Sequence, residues 1–414
     1  MDKKEYVKVL QDIIKINTEN DNEELVAKYL QKLLKDNGIE SELIYFSEGR
    51  ANLVAKISNN KGKTLALSGH MDVVKSGDES KWIYPPFSGH IDNNIIWGRG
   101  TSDMKTGLAA LVIAFIKVAK RKEFKGTIKL LATVGEEVGE LGSKQLTDLG
   151  YMDDVDGLLI GEPCNLGVVY AHKGSLNYRV ISKGVSAHSS SPELGNNAIE
   201  NLMVAMRLIS EKISDKAKKY NNCVLGKTFN NITLVSGGTQ INSIPDHAEF
   251  EANARTIPEF DNSAVINELQ TIIDQLNKKE GFDLEVKITA DQPPVETNPK
   301  SDLVQVIIDT VNDIDELKPS KLLLSTNDLL KETGESVQIS SENEKIEALT
   351  PISVPATTDA AQFIRANKNL ELAVYGPGIP MLNHKINERV PIFQYLKFIE
   401  VYQLIIERYL SIEG

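Results

Sequence analysis

Cysteine is scarce: Cys164 and Cys223 are the only two in 414 residues. Two thiols cannot frame a disulfide-stapled fold, and they fit a reducing compartment. No run of 18 apolar residues occurs, so no helix is expected to cross a bilayer. The opening stretch MDKKEYVKVLQDIIKIN scatters charge through an amphipathic pattern and has no apolar centre. No signal peptide is therefore expected. Positive charge is in deficit, with 46 Lys and Arg against 58 Asp and Glu and a net charge of −12. So little basic charge argues against a nucleic-acid partner, since phosphates would go unneutralised. Internal repeats, low-complexity tracts and nucleotide-binding glycine loops are missing too. GRGTSDMKTG (98–107) resembles a phosphate loop, but its spacing fits neither a Walker A nor a dinucleotide fingerprint. What remains is an acidic, soluble, cytoplasmic protein, long enough for two domains.

Apolar spacing predicts helices at 4–16 and 23–37, the second capped by Asp21 or Asn22 and stopped by Gly38. Strands follow at 42–46, 51–57, 64–68 and 95–97, then a helix at 108–121. Residues 126–134 are a largely apolar strand, as in a sheet covered on both faces. A helix at 142–149 and a strand at 156–160 complete an alternating α/β pattern. The pattern then changes. A strand at 175–182, a helix at 196–216, strands at 231–236 and 248–257, a helix at 263–279 and a strand at 283–290 read as β-α-β-β-α-β. That order is a ferredoxin-like unit. Afterwards the chain returns to α/β character, with helices at 302–312, 360–366 and 391–410 and a strand at 372–375. The expected fold is thus an α/β catalytic domain (1–174 and 291–414) with an inserted ferredoxin-like domain (175–290). Residues 317–355, long and polar, are left as either a mobile insertion or a helical excursion.

The stretch LALSGHMD (65–72) organises the chemistry. It reads as a buried strand followed at once by His70 and Asp72, which point the same way because strands alternate faces. Ligands bind outside the carboxyl ends of strands in open α/β sheets. An imidazole with an acid behind it suits a metal ligand, while a capped strand end is the simpler alternative. Asp103, Glu136, Glu137 and Glu162 also fall at strand ends, and His384 follows the strand at 372–375 and its GPG loop. Asp103 could instead cap a helix, the Glu pair could line a solvated turn, and His384 could be structural. Two adjacent carboxylates ending so apolar a strand, however, would repel unless a cation lay between them. Carboxylates and imidazoles hold hard or borderline metals without thiolates. Cys164, two residues beyond Glu162, is read as a packing residue.

SGHMDVV, GRGTSDMKTG, GEEVGELGS, GEP and NHKINE resemble, in order and spacing, the consecutive motifs of the dinuclear zinc amidohydrolases and metallopeptidases. That family includes succinyl-diaminopimelate desuccinylases, acetylornithine deacetylases, aminoacylases and carboxypeptidases, and the likeness is greatest to the desuccinylase branch. The resemblance implies a three-layer α/β/α zinc-peptidase-like domain with an inserted lid and dimerisation domain. It implies two Zn2+, replaceable by Co2+, with His70 and Glu162 on one, Glu137 and His384 on the other, and Asp103 bridging. Glu136 would be the general base and Asp72 would orient His70. A cis peptide after Asp103 is typical of the family. His188, in GVSAHSSSPELGNNAI, would reach the site of a partner subunit, making a homodimer functional. Asn242, Arg255, Gly376 and Gly378 would contact substrate, Arg255 by offering its fork to a carboxylate. Thr358–Asp359 resembles a family position without an assigned role. The implied substrate is an N-acyl amino acid, N-succinyl-L,L-diaminopimelate before acetylornithine or a dipeptide. A catalytically silent homologue is the non-enzyme alternative, against which the intact base and ligand set speak.

Overall fold

A computed structural model describes residues 1–59, 61–121, 123–331 and 347–412. The elements run α1 (Lys3–Ile14), α2 (Glu23–Asp36), β1 (Ser41–Ser47), β2 (Arg50–Asn59), β3 (Thr64–His70), β4 (His90–Asp92), β5 (Ile95–Trp97) and α3 (Lys105–Arg121). Next come β6 (Gly126–Thr133), α4 (Leu141–Asp148), β7 (Gly157–Ile160), β8 (Cys164–His172), β9 (Gly174–Lys183), β10 (Ala187–His188) and α5 (Ala198–Ala217). Then follow β11 (Phe229–Gly237), β12 (Ser243–Ile244), β13 (His247–Thr256), α6 (Asn262–Asn277), β14 (Leu284–Gln292), β15 (Val295–Glu296), α7 (Asp302–Asn312) and α8 (Pro319–Lys331). The chain closes with β16 (Pro351–Val354), α9 (Ala360–Phe363), β17 (Glu371–Gly376), β18 (Arg389–Pro391) and α10 (Ile392–Leu410). These residues form two compact units. One holds Met1–Tyr170, Thr297–Ile352 and Thr358–Gly414, the other Ala171–Glu296 and Ser353–Thr357.

The first unit is built on a mixed sheet whose strands lie in the order β1-β2-β6-β3-β7-β17-β8. Its centre is parallel: β6, β3, β7 and β17 run the same way, and all seven residues of β3 are buried. Strands buried on both faces must be apolar throughout, which is why LALSG and TIKLLAT lack alternation. Helix α3 packs on β3 and β6 and against α10, which also packs on α7, while α2 lies on β1 and β2. Two close approaches set the site end of this sheet. A Cβ on Gly107, in the first turn of α3, would lie 1.9 Å from the Gly161 carbonyl oxygen beyond β7. The buried Lys105 ammonium donates to the carbonyls of Ile13 (3.0 Å) and Ile16 (2.8 Å), tying the end of α1 to the start of α3.

The second unit is a four-stranded antiparallel sheet in the order β11-β13-β9-β14, with α5 and α6 packed on it. In β13, HAEFEANART alternates buried and half-buried positions, as a sheet with one covered face requires. Strand β11 is an edge, and Leu234 and Val235 on it are exposed.

Three local expectations change. Asn22 sits at the start of α2 in a left-handed conformation with no side-chain cap bond; the first helical residue, Glu23, is instead tied to Arg50 and to the Gly135 N–H. Strand β8 was not anticipated, because CNLGVVYAH follows the GEP turn without a polar break or clear alternation. Of residues 317–355, the first part is the helix α8 and the last part includes β16; residues 332–346 lie outside the described ones.

Two predictions follow from this packing. Alanine at position 107 gains up to about 1 kcal/mol of helix propensity. The collision with Gly161 outweighs that gain, so Gly107→Ala should be net destabilising by about 2 kcal/mol in a urea titration. His172 is buried; its Nδ1 bonds the Lys173 carbonyl at 2.9 Å and its Nε2 has no partner among the described residues. Burial lowers its pKa from 6.5 to about 4. Between those values the unfolded chain binds more protons than the native one, so stability falls as pH drops from 6.5 to 4. The loss attributable to this residue is about 3 kcal/mol. Unfolding of His172→Leu followed over the same pH range should show a correspondingly shallower slope.

Candidate active site

The carboxyl end of the parallel strands gathers the acids and imidazoles that the sequence singled out. His70 ends β3, Asp103 lies in the turn before α3, Glu136 and Glu137 follow β6, Glu162 follows β7, and His384 follows β17. The Nε2 of His70 lies 3.2 Å from Asp103 Oδ1 and 3.4 Å from Glu162 Oε1. The Nε2 of His384 lies 3.5 Å from Asp103 Oδ2 and 3.1 Å from Glu137. Asp103 therefore turns one carboxylate oxygen towards each imidazole. His384 takes up its position with a left-handed φ of 62°, uncommon for a residue other than glycine, and the Asp103–Met104 peptide is cis.

Behind these groups lies a second set of acids. The Nδ1 of His70 donates to the Asp72 main-chain carbonyl at 2.9 Å and is 3.5 Å from the Asp72 carboxylate. With Nδ1 bonded in this way, Nε2 is the ring nitrogen turned towards the acids and the one a metal would take once its proton is displaced. The Asp72 carboxylate spends its two oxygens on the amide N–H groups of Glu136 and Glu137, each at 3.1 Å. Glu23, wholly buried and gripped by Arg50, accepts the Gly135 N–H at 3.2 Å. Asp359 accepts the Thr133 hydroxyl at 2.6 Å.

The electrostatics are those of an acid cluster that wants cations. Burial, with the charges of Glu137 and Glu162 added, pushes Glu136 well above its ordinary value; the opposing charge of His70 does not offset this. Burial and Asp103 push Glu162 up to about 8, and burial raises Glu137 as well. Bonds to Asp103 and Glu137 lift His384 to about 10. His70 is raised well above 6.5 despite its burial, chiefly by Glu162 and Asp103. Protons are thus held where a divalent cation would relieve the same repulsion. Donor atoms of His70, Asp103 and Glu137 lie within 4.8 Å of one another. An oxygen and imidazole donor set without thiolate fits zinc or a similar borderline ion.

A model of peptidase family M20/M25/M40 matches residues 66–408. The chain belongs to that family, whose members are metal-dependent amidohydrolases. It is 37% identical to a probable succinyl-diaminopimelate desuccinylase of Staphylococcus aureus (strain MSSA476), over 99% of this chain and 98% of the relative. It is 24% identical to a succinyl-diaminopimelate desuccinylase of Ehrlichia canis, over 98% of both chains. Among solved structures it is similar to an M20 family metallo-carboxypeptidase from Sulfolobus solfataricus (TM-score 0.73, 19% identity, 100% of both chains). It also resembles the aminopeptidase PepT from Bacillus cereus (TM-score 0.67, 23% identity, 99% of both chains). These two share the M20 fold.

Of the remaining expected site residues, His188, Asn242 and Arg255 lie in the second unit, and Gly376 and Gly378 in the first. His188, exposed on β10, bonds Ser190 Oγ through Nδ1 at 2.7 Å, and the Ser189 N–H donates to the Asn242 carbonyl at 3.1 Å. His188 and Asn242 are thereby neighbours within the second unit. Arg255 is half-buried near the end of β13, and burial lowers its pKa. Gly376 and Gly378 have a packing reason: a Cβ on the first would meet the Gly161 oxygen at 2.2 Å, and one on the second the Pro163 Cβ at 2.7 Å. Cys164 is half-buried, its thiol pushed up to about 12 by burial. Sequence reading passed over Glu23, Arg50, Arg99 and Glu388. The last two sit inside GRGTSD and NHKINE, and a charged residue beside a ligand in a motif was the available signal.

Chelation should expose the cation dependence directly. Ligand at about 1,000 times its dissociation constant stabilises by about 4 kcal/mol. Stripping metal with a chelator should therefore lower the melting temperature, and zinc or cobalt should restore it. In His384→Ala the restoring shift should shrink by more than half, as read by differential scanning calorimetry.

Proposed function

We propose that this protein hydrolyses N-succinyl-L,L-diaminopimelate to succinate and L,L-diaminopimelate, with two zinc ions that cobalt can replace. The observation that carries the reading is the Asp103 carboxylate, with one oxygen for each of two imidazoles. On this reading His70 and Glu162 hold one ion, Glu137 and His384 the other, and Asp103 both. When bound, the pair supplies Lewis-acid polarisation of the amide carbonyl and an acidified water. The rest falls to side chains. Glu136, whose pKa burial and neighbouring acids raise well above the ordinary carboxylate value, accepts a proton from the attacking water and returns it to the departing amine. Asp72 holds the Glu136 and Glu137 amides and so fixes the base relative to the ligands. His188 donates to the tetrahedral oxyanion from the second unit of a partner subunit. Arg255, which has no side-chain partner among the described residues, offers its fork to a substrate carboxylate, and Asn242 contributes a further polar contact.

A homodimer belongs to the same reading. The edge strand β11 exposes Leu234 and Val235, and Met203 of α5 is exposed as well. An unpaired apolar edge of this kind invites pairing with a second copy. Free thiols at Cys164 and Cys223 suit a cytoplasmic setting. No helix among the described residues is long and apolar enough to cross a membrane. Relatives at 37% identity named as probable desuccinylases favour succinyl over other acyl groups.

Metal-loaded enzyme should release free amine from N-succinyl-L,L-diaminopimelate in preference to N-acetylornithine and dipeptides. Glu136→Gln should lose at least about 1,000-fold in kcat while both metals stay bound. A panel in which only dipeptides are cleaved would reject the substrate, and full turnover by Glu136→Gln would reject the base.

A further inference from the structure

Glu388 takes no part in the reaction outlined above, yet it is wholly buried and is one of the most heavily bonded acids near the site. Its Oε1 accepts the amide N–H groups of Ser102 at 2.6 Å and Asp103 at 2.9 Å. Its Oε2 accepts the Gly100 N–H at 3.0 Å and the Arg99 guanidinium at 2.7 Å. The turn 99–103 thus wraps a concave array of main-chain donors around one carboxylate, in the way such turns elsewhere wrap an anion. Arg99 also donates to the Lys75 carbonyl at 3.2 Å and stacks over Trp82 at 5.3 Å from its ring centre. A second tie runs alongside: Ser102 Oγ accepts the Ile379 N–H at 2.8 Å and lies 2.9 Å from Asn383 Oδ1.

The two segments joined in this way each carry an acid or imidazole of the site. Asp103 ends the wrapped turn, and His384 lies four residues before Glu388. Burying a carboxylate and a guanidinium together is a poor way to gain stability alone, since an apolar pair of equal volume does as well. What the arrangement does supply is geometry, because holding the Asp103 N–H fixes the main chain from which its carboxylate is directed at His70 and His384.

We propose that Glu388 is a positioning residue that locks the Asp103 and His384 segments into one unit, so that cations meet ligands already arranged. The inference rests on the reading that Asp103 and His384 hold the metals. The test is calorimetric titration of Co2+ into metal-free wild type, Glu388→Gln, Glu388→Asp and Asp156→Asn. In Glu388→Gln an amide NH2 faces main-chain donors, and Co2+ affinity should fall 10- to 100-fold at both equivalents. Glu388→Asp keeps the charge and should fall between that variant and wild type. Asp156 likewise accepts an amide, that of Thr64 at 2.7 Å, but at the start of β3, and Asp156→Asn should bind Co2+ like wild type. Wild-type affinity in Glu388→Gln, or in Glu388→Asp if the glutamine variant does not fold, would overturn the proposal while leaving the metal reading standing. A wild type that binds no Co2+ would overturn both.

Discussion

Carboxylates crowded at one end of a parallel sheet repel one another, and the site end of this protein is arranged around that repulsion. Asp72, Asp103, Glu136, Glu137, Glu162, Asp359 and Glu388 all lie there, most of them shut away from water. Burial makes each ionised form expensive, and each neighbour adds to the cost. Relief comes in two forms. The outer acids, Asp72 and Glu388, are surrounded by amide N–H groups and, for Glu388, a guanidinium. The inner ones, Glu136, Glu137 and Glu162, have too few such donors and are pushed towards their protonated forms. Burial raises Glu388 as well despite its donors, so the two groups differ in their partners rather than in the direction of their shifts: the outer acids hold turns through main-chain amides, and on the reading proposed above the inner ones keep oxygens for cations.

The fold makes that concentration possible. Parallel strands all end on the same side, so turns far apart in the chain deliver their side chains to one place. The glycines at 107 and 376 let α3 and β17 approach Gly161 and Glu162 more closely than any side chain would permit. The second unit uses different physics. Its antiparallel sheet has one face covered by α5 and α6, and its edge strand β11 carries exposed apolar residues.

Much of this was legible from residue order. Alternation in HAEFEANART and its absence in TIKLLAT distinguish a one-sided sheet from a two-sided one. His70, Asp103, Glu137, Glu162 and His384 stood out because acids and imidazoles directly after apolar strands have few structural uses. Strand β8 escaped notice because it follows β7 with only a short turn between. Glu23 and Glu388 escaped for a different reason: each bonds main-chain amides more than 100 positions away, and nothing local marks the acceptor of such a bond. Asp21 or Asn22 was expected to cap α2; Asn22 takes the cap position, but its left-handed backbone leaves its side chain without a cap bond.

Local order therefore indicated most of the longer strands and helices, β8 and α8 apart, and the polar residues that follow the strands of the parallel sheet, because periodicity acts over a few residues. It also settled the donor chemistry, since the types of side chain available follow from composition and spacing alone. Only the folded chain decided that Asp103 shares its two oxygens between His70 and His384, and that Glu388 reaches across to hold the turn beneath it. Those facts depend on distances between residues from 33 to 285 positions apart, which sheet order and helix packing fix and no local preference encodes.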